Sequence, residues 1–396
     1  MLRVEESLQR LYQYCRENKW AGWDPHDGLN SALYQALPFK RWRVCRLAWI
    51  QLVKRCPVNL RPLLGVPRSE NPKALALAAS GLVRLETAGC KWVIPGNTSD
   101  LFERLERLRS PGFEPWCWGY DFAWQNRAFF VPRFAPSSVV TVFAAHAFLD
   151  RFDAHGDERD LEKARSACTF LLKHLHRLHE SPGKVCFSYT PFDKTAVHNV
   201  NFLIGALLAR VSATTGDHSL SDWARRTVGF PLSYQAADGS WGYGTTSFHG
   251  WIDHFHTCYN LLALDDCRRW LRTDVYDRAI ERGLTFYLER LFRPDGLPRP
   301  DTRATYPIDI HAVAVALMTL TRFADARPLC RHRREKIIEW TLRCMQDRRG
   351  FFYYQRRAHS TVRIPYMRWS QAWMFNALAQ VLASDREKDR AAEERS

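Results

Sequence analysis

One pattern recurs four times along the second half of this chain, and it restricts the fold more than any other feature. A turn rich in glycine and aromatic residues leads into a polar loop, and the loop opens into an apolar run. Cys186-Phe187-Ser188-Tyr189 passes through His198 and Asn201 to a run ending at Leu208. Gly239-Ser240-Trp241-Gly242-Tyr243 passes through Asp253 and His256 to Leu264. Gly296-Leu297-Pro298 passes through Asp309 and His311 to Leu320, and Gly350-Phe351-Phe352-Tyr353-Tyr354 passes through Arg368, Trp369 and Gln371 to Leu382. Asn201, His256 and His311 follow one another at 55 residues, as do His198 and Asp253. A fixed period of this size is the signature of one supersecondary unit stacked repeatedly.

The units read as helices. Leu161, Ala164, Ala167, Phe170 and Leu171 recur at three- and four-residue steps, the period of one helix face. The runs after the polar loops, such as Phe202 to Leu208 and Ala312 to Leu317, have no polar side, and a helix apolar all round is buried all round. Alternating amphipathic and fully apolar helices describe two concentric rings. An earlier unit at Trp118-Gly119-Tyr120 fits with a longer spacer, and counting back places further pairs near 97–152, 41–87 and 2–37. The expected fold is all-α: an α/α toroid of six or seven helical hairpins, one domain over residues 1–385, followed by a charged, disordered tail over 386–396. An open array would want atypical polar caps at its ends, and the last unit is as aromatic as the others. The stretch from Pro62 to Asn71 reads as an excursion from the ring.

Composition bounds the setting. The 396 residues carry a formal charge of +15, which favours anionic partners. The basic residues are dispersed rather than massed, with local clusters at Arg41, Arg43, Arg46, Lys54 and Arg55 and again at Arg331 to Lys336. That dispersion argues against nucleic acid as the partner. The eleven cysteines include no Cys-x-x-Cys pair, and they read as buried thiols of a cytoplasmic protein. No apolar run nears the roughly 20 residues that span a bilayer, and the first residues read as an amphipathic helix rather than a signal peptide.

In such a ring the polar loops sit at one end, so residues opening the apolar helices line a common mouth. Helix N-termini attract anions. Asp253, His256, Asp309 and His311 are the candidate acid/base groups, because a carboxylate beside an imidazole is a proton-transfer pair and residues three apart share a helix face. Asp24, Asp27, Asn30, His198, Asn201, Arg368 and Gln371 are candidate substrate contacts. Trp118, Tyr120, Trp124, Trp241, Trp369 and Trp373 offer ring faces on which sugars stack. The competing reading for the aspartates is helix capping, and for the turn aromatics it is wedging between hairpins.

Two resemblances add to this. Gln235-Ala236-Ala237-Asp238-Gly239-Ser240-Trp241 resembles the glutamine–tryptophan motif of squalene-hopene cyclases, and Gln346 to Phe351 is a weaker copy. The motif implies toroid hairpins tied to their neighbours, while the acidic Asp-x-Asp-Asp motif of those cyclases is missing. More broadly, Trp23-Asp24-Pro25-His26-Asp27-Gly28-Leu29-Asn30, Asn59-Leu60-Arg61-Pro62, Asn71-Pro72-Lys73-Ala74, Cys117-Trp118-Gly119-Tyr120, Phe255-His256-Thr257 and Tyr366-Met367-Arg368-Trp369 resemble a bacterial and archaeal toroid family, six-hairpin glycosidase-like, associated with surface-polysaccharide biosynthesis. Trp23 and His26 stand where that family has tyrosines. The expectation is a carbohydrate-active enzyme, without a cofactor or bound metal. It would act by epimerisation, elimination or hydrolysis on an anionic sugar, nucleotide sugar or lipid-linked glycan, with peripheral association to a membrane assembly complex. The alternatives are a terpenoid cyclase-like or prenyltransferase-like toroid acting on an isoprenoid diphosphate, and a non-catalytic glycan-binding or scaffold protein.

Overall fold

A computed structural model describes residues 2–125 and 129–394. Six helices form an inner ring: α4 (Pro72–Thr87), α6 (Ser138–His155), α8 (His198–Thr215), α10 (His254–Trp270), α12 (Ile310–Arg322) and α14 (Trp373–Glu393). Each packs on the next, and α14 packs back on α4, so the ring is closed. Six more helices form the outer layer: α1 (Leu2–Glu17), α5 (Asn97–Arg107), α7 (Glu158–His174), α9 (His218–Leu232), α11 (Asp277–Arg290) and α13 (Pro328–Cys344). The division follows the sequence. Every residue of α8 from His198 to Ser212 is buried, whereas α7 buries only a face of Leu161, Ala164, Ala167, Cys168, Phe170 and Leu171 together with Asp160.

The two ends of the ring differ. After inner helices the chain turns quickly: Gly156 and Gly216, both left-handed, end α6 and α8, and the following aspartate caps the next helix. Before inner helices the connections are long, and short antiparallel pairs form within or beside them at 177–181 with 184–187, and at 308–309 with 355–356 and 361–362. All the long connections therefore collect at the N-terminal end of the inner ring, which is the mouth.

The glutamine motif ties hairpin to hairpin as its resemblance implies. The Gln235 amide donates to the carbonyls of Gly239 (3.0 Å) and Ala279 (2.9 Å) on α11. Gln346 repeats this with Gly350 (2.9 Å) and Ser7 (3.0 Å) on α1, which fastens the last turn to the first helix. Gly239 and Gly350 have positive φ, and a Cβ on either would overlap a backbone carbonyl, of Arg282 and of Arg10 respectively.

Four expectations change. The pairs placed at 2–37 and 41–87 are not hairpins: α1 alone takes the outer position, and residues 23–70 leave the ring as an insert with two short helices, α2 (Ala32–Ala36) and α3 (Arg43–Arg55). The reason is visible in α3, which buries only Ile50 and Val53 and so cannot serve as a ring helix. The count is therefore six hairpins, and the excursion is longer than Pro62 to Asn71. The segment from 386 also belongs to the toroid. It extends α14 to Glu393, held by Arg386 on Glu5 (2.7 Å) and Lys388 on Asp325 (2.5 Å). All eleven cysteines are free thiols, and Cys344 is exposed at the end of α13 rather than packed in it. Among the described residues, no helix is long and apolar enough to cross a membrane.

Candidate functional site

The mouth is built from the starts of α10, α12 and α14 with the insert laid against them. Asp253 caps α10, accepting the His256 amide at 2.9 Å, and its other oxygen takes His256 Nδ1 at 2.7 Å and Trp251 Nε1 at 3.2 Å. Burial opposes ionisation of Asp253, but the charge and hydrogen bonds of His256 outweigh it and hold the carboxyl below its usual range. With Nδ1 committed, Nε2 is the nitrogen left for substrate. Tyr243 stacks on Trp251 with centroids 4.5 Å apart and lies 4.7 Å from the His256 ring.

One inner helix further on, Asp309 caps α12. It takes the His311 amide, Trp369 Nε1 and Gln355 Nε2, each at 2.9 Å. Here burial wins, and the carboxyl is raised above its usual range despite those donors. His311 is 2% exposed. Its Nε2 lies 2.6 Å from the Tyr259 hydroxyl, and its buried Nδ1 has no partner. Its ring stacks on Phe255, with Trp369 and Trp373 against its other sides. Burial, then the charges of Lys73 and Arg368, push this imidazole far below its ordinary pKa, so it is neutral near pH 7. The two imidazoles thus sit on neighbouring inner helices, one paired with a carboxylate and one shut among rings.

The insert is pinned to this site by buried ion pairs. Arg368 lies in the π-type turn Met367–Ala372 ahead of α14 and grips Asp24 with two bonds of 2.6 and 2.8 Å. Arg61 bonds Asp27 (2.7 Å), the Asp24 carbonyl (2.7 Å) and the Tyr366 hydroxyl (2.8 Å). Asp27 in turn accepts the Asp24 amide. Arg368 also faces the Tyr120 ring at 5.0 Å, and Tyr120, Trp124 and Tyr189 form an aromatic wall beside it. Asn30 bonds the backbone of Asp121 and Ala123 and straps the insert to that wall. Asp24, Asp27, Asn30 and Arg368 are therefore at the mouth, and their visible bonds hold the insert in place.

The structure sends other candidates elsewhere. His198 donates from Nδ1 to the Gly242 carbonyl at 2.8 Å and lies against Phe230 and Tyr234 beside the outer layer. Its counterpart is His254, also first in its helix, bonded to the Leu291 carbonyl and to Tyr287. These two are 56 residues apart, so the true register slips by one from the 55-residue spacing that paired His198 with Asp253. Asn201 clamps the backbone of Phe187, accepting its N–H at 2.7 Å, and Gln371 clamps Phe352 in the same way at 2.8 Å. Trp118 bonds the Leu105 carbonyl in the core, and Trp241 is buried against Gly283, whose bare Cα makes room for it. Tyr120, Trp124, Trp369 and Trp373 do reach the mouth or the ring axis.

Four residues at the site carried too little sequence signal. Lys73, second in α4, is 3% exposed. Its ammonium lies 4.1, 5.0 and 5.5 Å from the centroids of Phe143, Trp373 and Tyr259, with no carboxylate partner among the described residues. Burial lowers its pKa well below the lysine norm. Those three rings also line the inner end of an axial cavity of about 560 Å³ that runs toward the far end of the ring past Arg84, Arg210 and Arg322. Tyr259 looked like one more apolar-helix residue. Lys54 contacts His26 at 3.3 Å and lies above Trp369. Asp121 takes bonds from Ser69 and Asn71, and burial raises its carboxyl to about 6.

The Asp121 shift has a consequence for stability. Its folded pKa exceeds the ordinary 3.8, so the folded state holds the proton more tightly and stability falls as pH rises from about 4 through 6. The loss on full ionisation is about 3 kcal/mol. Asp27, which burial raises to about 7, adds a decline of the same sign, so urea unfolding between about pH 4 and pH 6 should show a smaller loss of stability in Asp121→Asn than in the native protein, with the difference reporting Asp121.

The chain is thus a six-hairpin α/α toroid of the kind found in glycosidase-like enzymes. No family model matches it, and no curated protein sequence matches it. Solved structures match the fold. A sugar epimerase from a ruminal bacterium superposes with a TM-score of 0.62 at 12% identity, covering 80% of this chain and 90% of that one. Cellobiose 2-epimerase from Bacillus thermoamylovorans gives 0.63 at 9% identity, covering 82% and 90%. An unsaturated glucuronyl hydrolase from a Bacillus species gives 0.61 at 15% identity over 96% of both chains. At these identities the likeness establishes architecture and leaves the chemistry to the residues.

Proposed function

We propose that this toroid is a carbohydrate-active enzyme that epimerises a sugar next to its carbonyl carbon, with His256 and His311 as the two proton-transfer groups. The observation that carries the reading is the pair of imidazoles at the starts of α10 and α12, held in unlike environments. One imidazole removes the proton from carbon, the electron pair moves onto the carbonyl oxygen, and a proton returned to the opposite face of that carbon gives the epimer. Lys73 and Tyr259 place an amine and a hydroxyl, both hydrogen-bond donors, near His311, which suits a developing oxyanion. Proton transfer of this kind needs no cofactor. The sugar epimerases among the structural neighbours are consistent with this chemistry on this fold.

Hydrolysis by the two aspartates is the second reading, favoured by the divergence of Asp253 and Asp309 in acidity. Both carboxylates, however, already accept three hydrogen bonds apiece, which suits orienting groups better than groups that meet substrate. The charged mouth gives little support to an isoprenoid pocket. The substrate class we favour is an anionic sugar or a lipid-linked glycan in cytoplasmic polysaccharide assembly, consistent with the overall positive charge and the free thiols. The test is incubation with a panel of reducing sugars and uronic acids in deuterium oxide, followed by proton NMR. Loss of the signal at the carbon beside the carbonyl, together with an epimer, supports the proposal. Glycoside cleavage without exchange overturns it.

Lys73→Met separates catalysis from folding. Replacing this buried amine, which has no carboxylate partner among the described residues, by an apolar chain of similar length should leave stability unchanged or raise it by up to about 2 kcal/mol. Turnover should fall roughly 100-fold if the amine donates to an oxyanion. Denaturant unfolding and steady-state rates on the same preparation measure both.

A further inference from the structure

Residues 28–69 contain eight basic residues and no aspartate or glutamate. The same stretch holds seven of the sixteen large apolar side chains exposed among the described residues, including Trp42 at 69%, Val44 at 74%, Leu52 at 59% and Leu63 at 84%. Helix α3 turns Ile50 and Val53 inward, and its outer stripe is Val44, Ala48, Leu52 and Arg55. Leu33 donates its amide to the Leu64 carbonyl, which sets exposed Leu33 beside the loop that carries Leu63. Among the described residues, Lys40, Arg41 and Arg55 have no carboxylate partner. An ordinary solvated face would reverse this arrangement and place its charges where the aliphatics are.

We propose that this insert face is an interfacial docking surface for an anionic lipid bilayer. Separate exposed aliphatic and tryptophan side chains in a segment whose only charges are basic suit the boundary between headgroups and acyl chains, where apolar burial and attraction to anionic headgroups add. A protein partner would instead want a close-packed apolar centre. Docking through the insert is independent of the reaction at the mouth. It has a consequence for that reaction, because the Asp24–Arg368 pair fixes the insert to the mouth. Docking through α3 would bring the mouth to the surface at which a lipid-linked saccharide is presented.

The test is co-sedimentation of the whole protein with vesicles, without substrate. Vesicles of phosphatidylcholine with about one-third phosphatidylglycerol should bind the protein, more weakly as salt rises, and pure phosphatidylcholine should bind it little. Val44→Glu combined with Leu52→Glu changes two exposed positions and should reduce partitioning roughly tenfold or more while the circular dichroism stays native. The proposal is overturned if the native protein stays in solution with the anionic vesicles, if both vesicle types bind it equally, or if the double variant sediments as well as the native chain. Capture of an acidic protein by this face, with no vesicle binding, overturns it as well.

Discussion

Asp24→Ala is expected to remove about 3–5 kcal/mol of stability, because it leaves the Arg368 guanidinium buried without its counter-charge. Arg368 is 4% exposed and spends two hydrogen bonds on this one carboxylate. Asp121 also faces it, but that carboxyl is itself raised to about 6 and engaged by Ser69 and Asn71. The substitution also unseats the turn in which Asp24 holds the His26 amide, so the insert should loosen before the ring does. Adding Arg368→Met should recover much of the loss, since an apolar replacement of both partners removes the stranded charge. Urea unfolding of the single and double variants measures the coupling. The contrary outcome is also informative. If Asp24→Ala were nearly as stable as the native chain and bound anionic sugars more tightly, Arg368 would be a substrate group restrained by Asp24 rather than a fastener of the insert.

The ring was readable because its determinants are local and repeated. The apolar runs of α8 and α12 have no solvent side, and that fact alone assigns them to the inner layer. The caps at Asp253 and Asp309 were readable for the same reason, and the structure keeps them as caps. What the sequence could not separate was two uses of the same residue types at nearly the same register. Asn201 and His256 are 55 residues apart, yet Asn201 closes on the turn of its own hairpin while His256 turns to Asp253. The difference lies in a one-residue slip at the helix start and in Val197 standing at the cap position of α8. The insert is hard to recognise in the sequence because α3 has enough apolar residues to look like a ring helix, and only burial shows that several of them face solvent. Lys73 was invisible for a further reason. A lysine in the first turn of an apolar helix ordinarily extends its charge to water, and only the closure of the ring brings Phe143, Tyr259 and Trp373 around it.

The largest expected effect on activity is at His256 and His311, and it has a pattern that a structural role would not produce. Loss of either imidazole should lower epimerisation by about 100- to 10,000-fold, the usual range for removing a positioned acid or base. Neither His256→Gln nor His311→Gln should lose the fold, because the Asp253 and Asp309 caps bond backbone amides that glutamine retains. If the two groups serve opposite faces of one carbon, each variant should fail on only one epimer. The variant lacking the base for the first epimer leaves that sugar untouched in deuterium oxide. Given the second epimer, it still removes the proton with the remaining imidazole and returns a deuteron to the same face, so exchange continues without inversion. The other variant should show the mirror of this behaviour. Tyr259→Phe should act through His311, because it removes the hydroxyl at Nε2 and leaves the Asp253–His256 pair untouched. Exchange of both epimers at native rates in either histidine variant would mean that this imidazole does not carry the proton. Equal loss of both exchanges in both variants would favour a single-base mechanism or a purely positioning role.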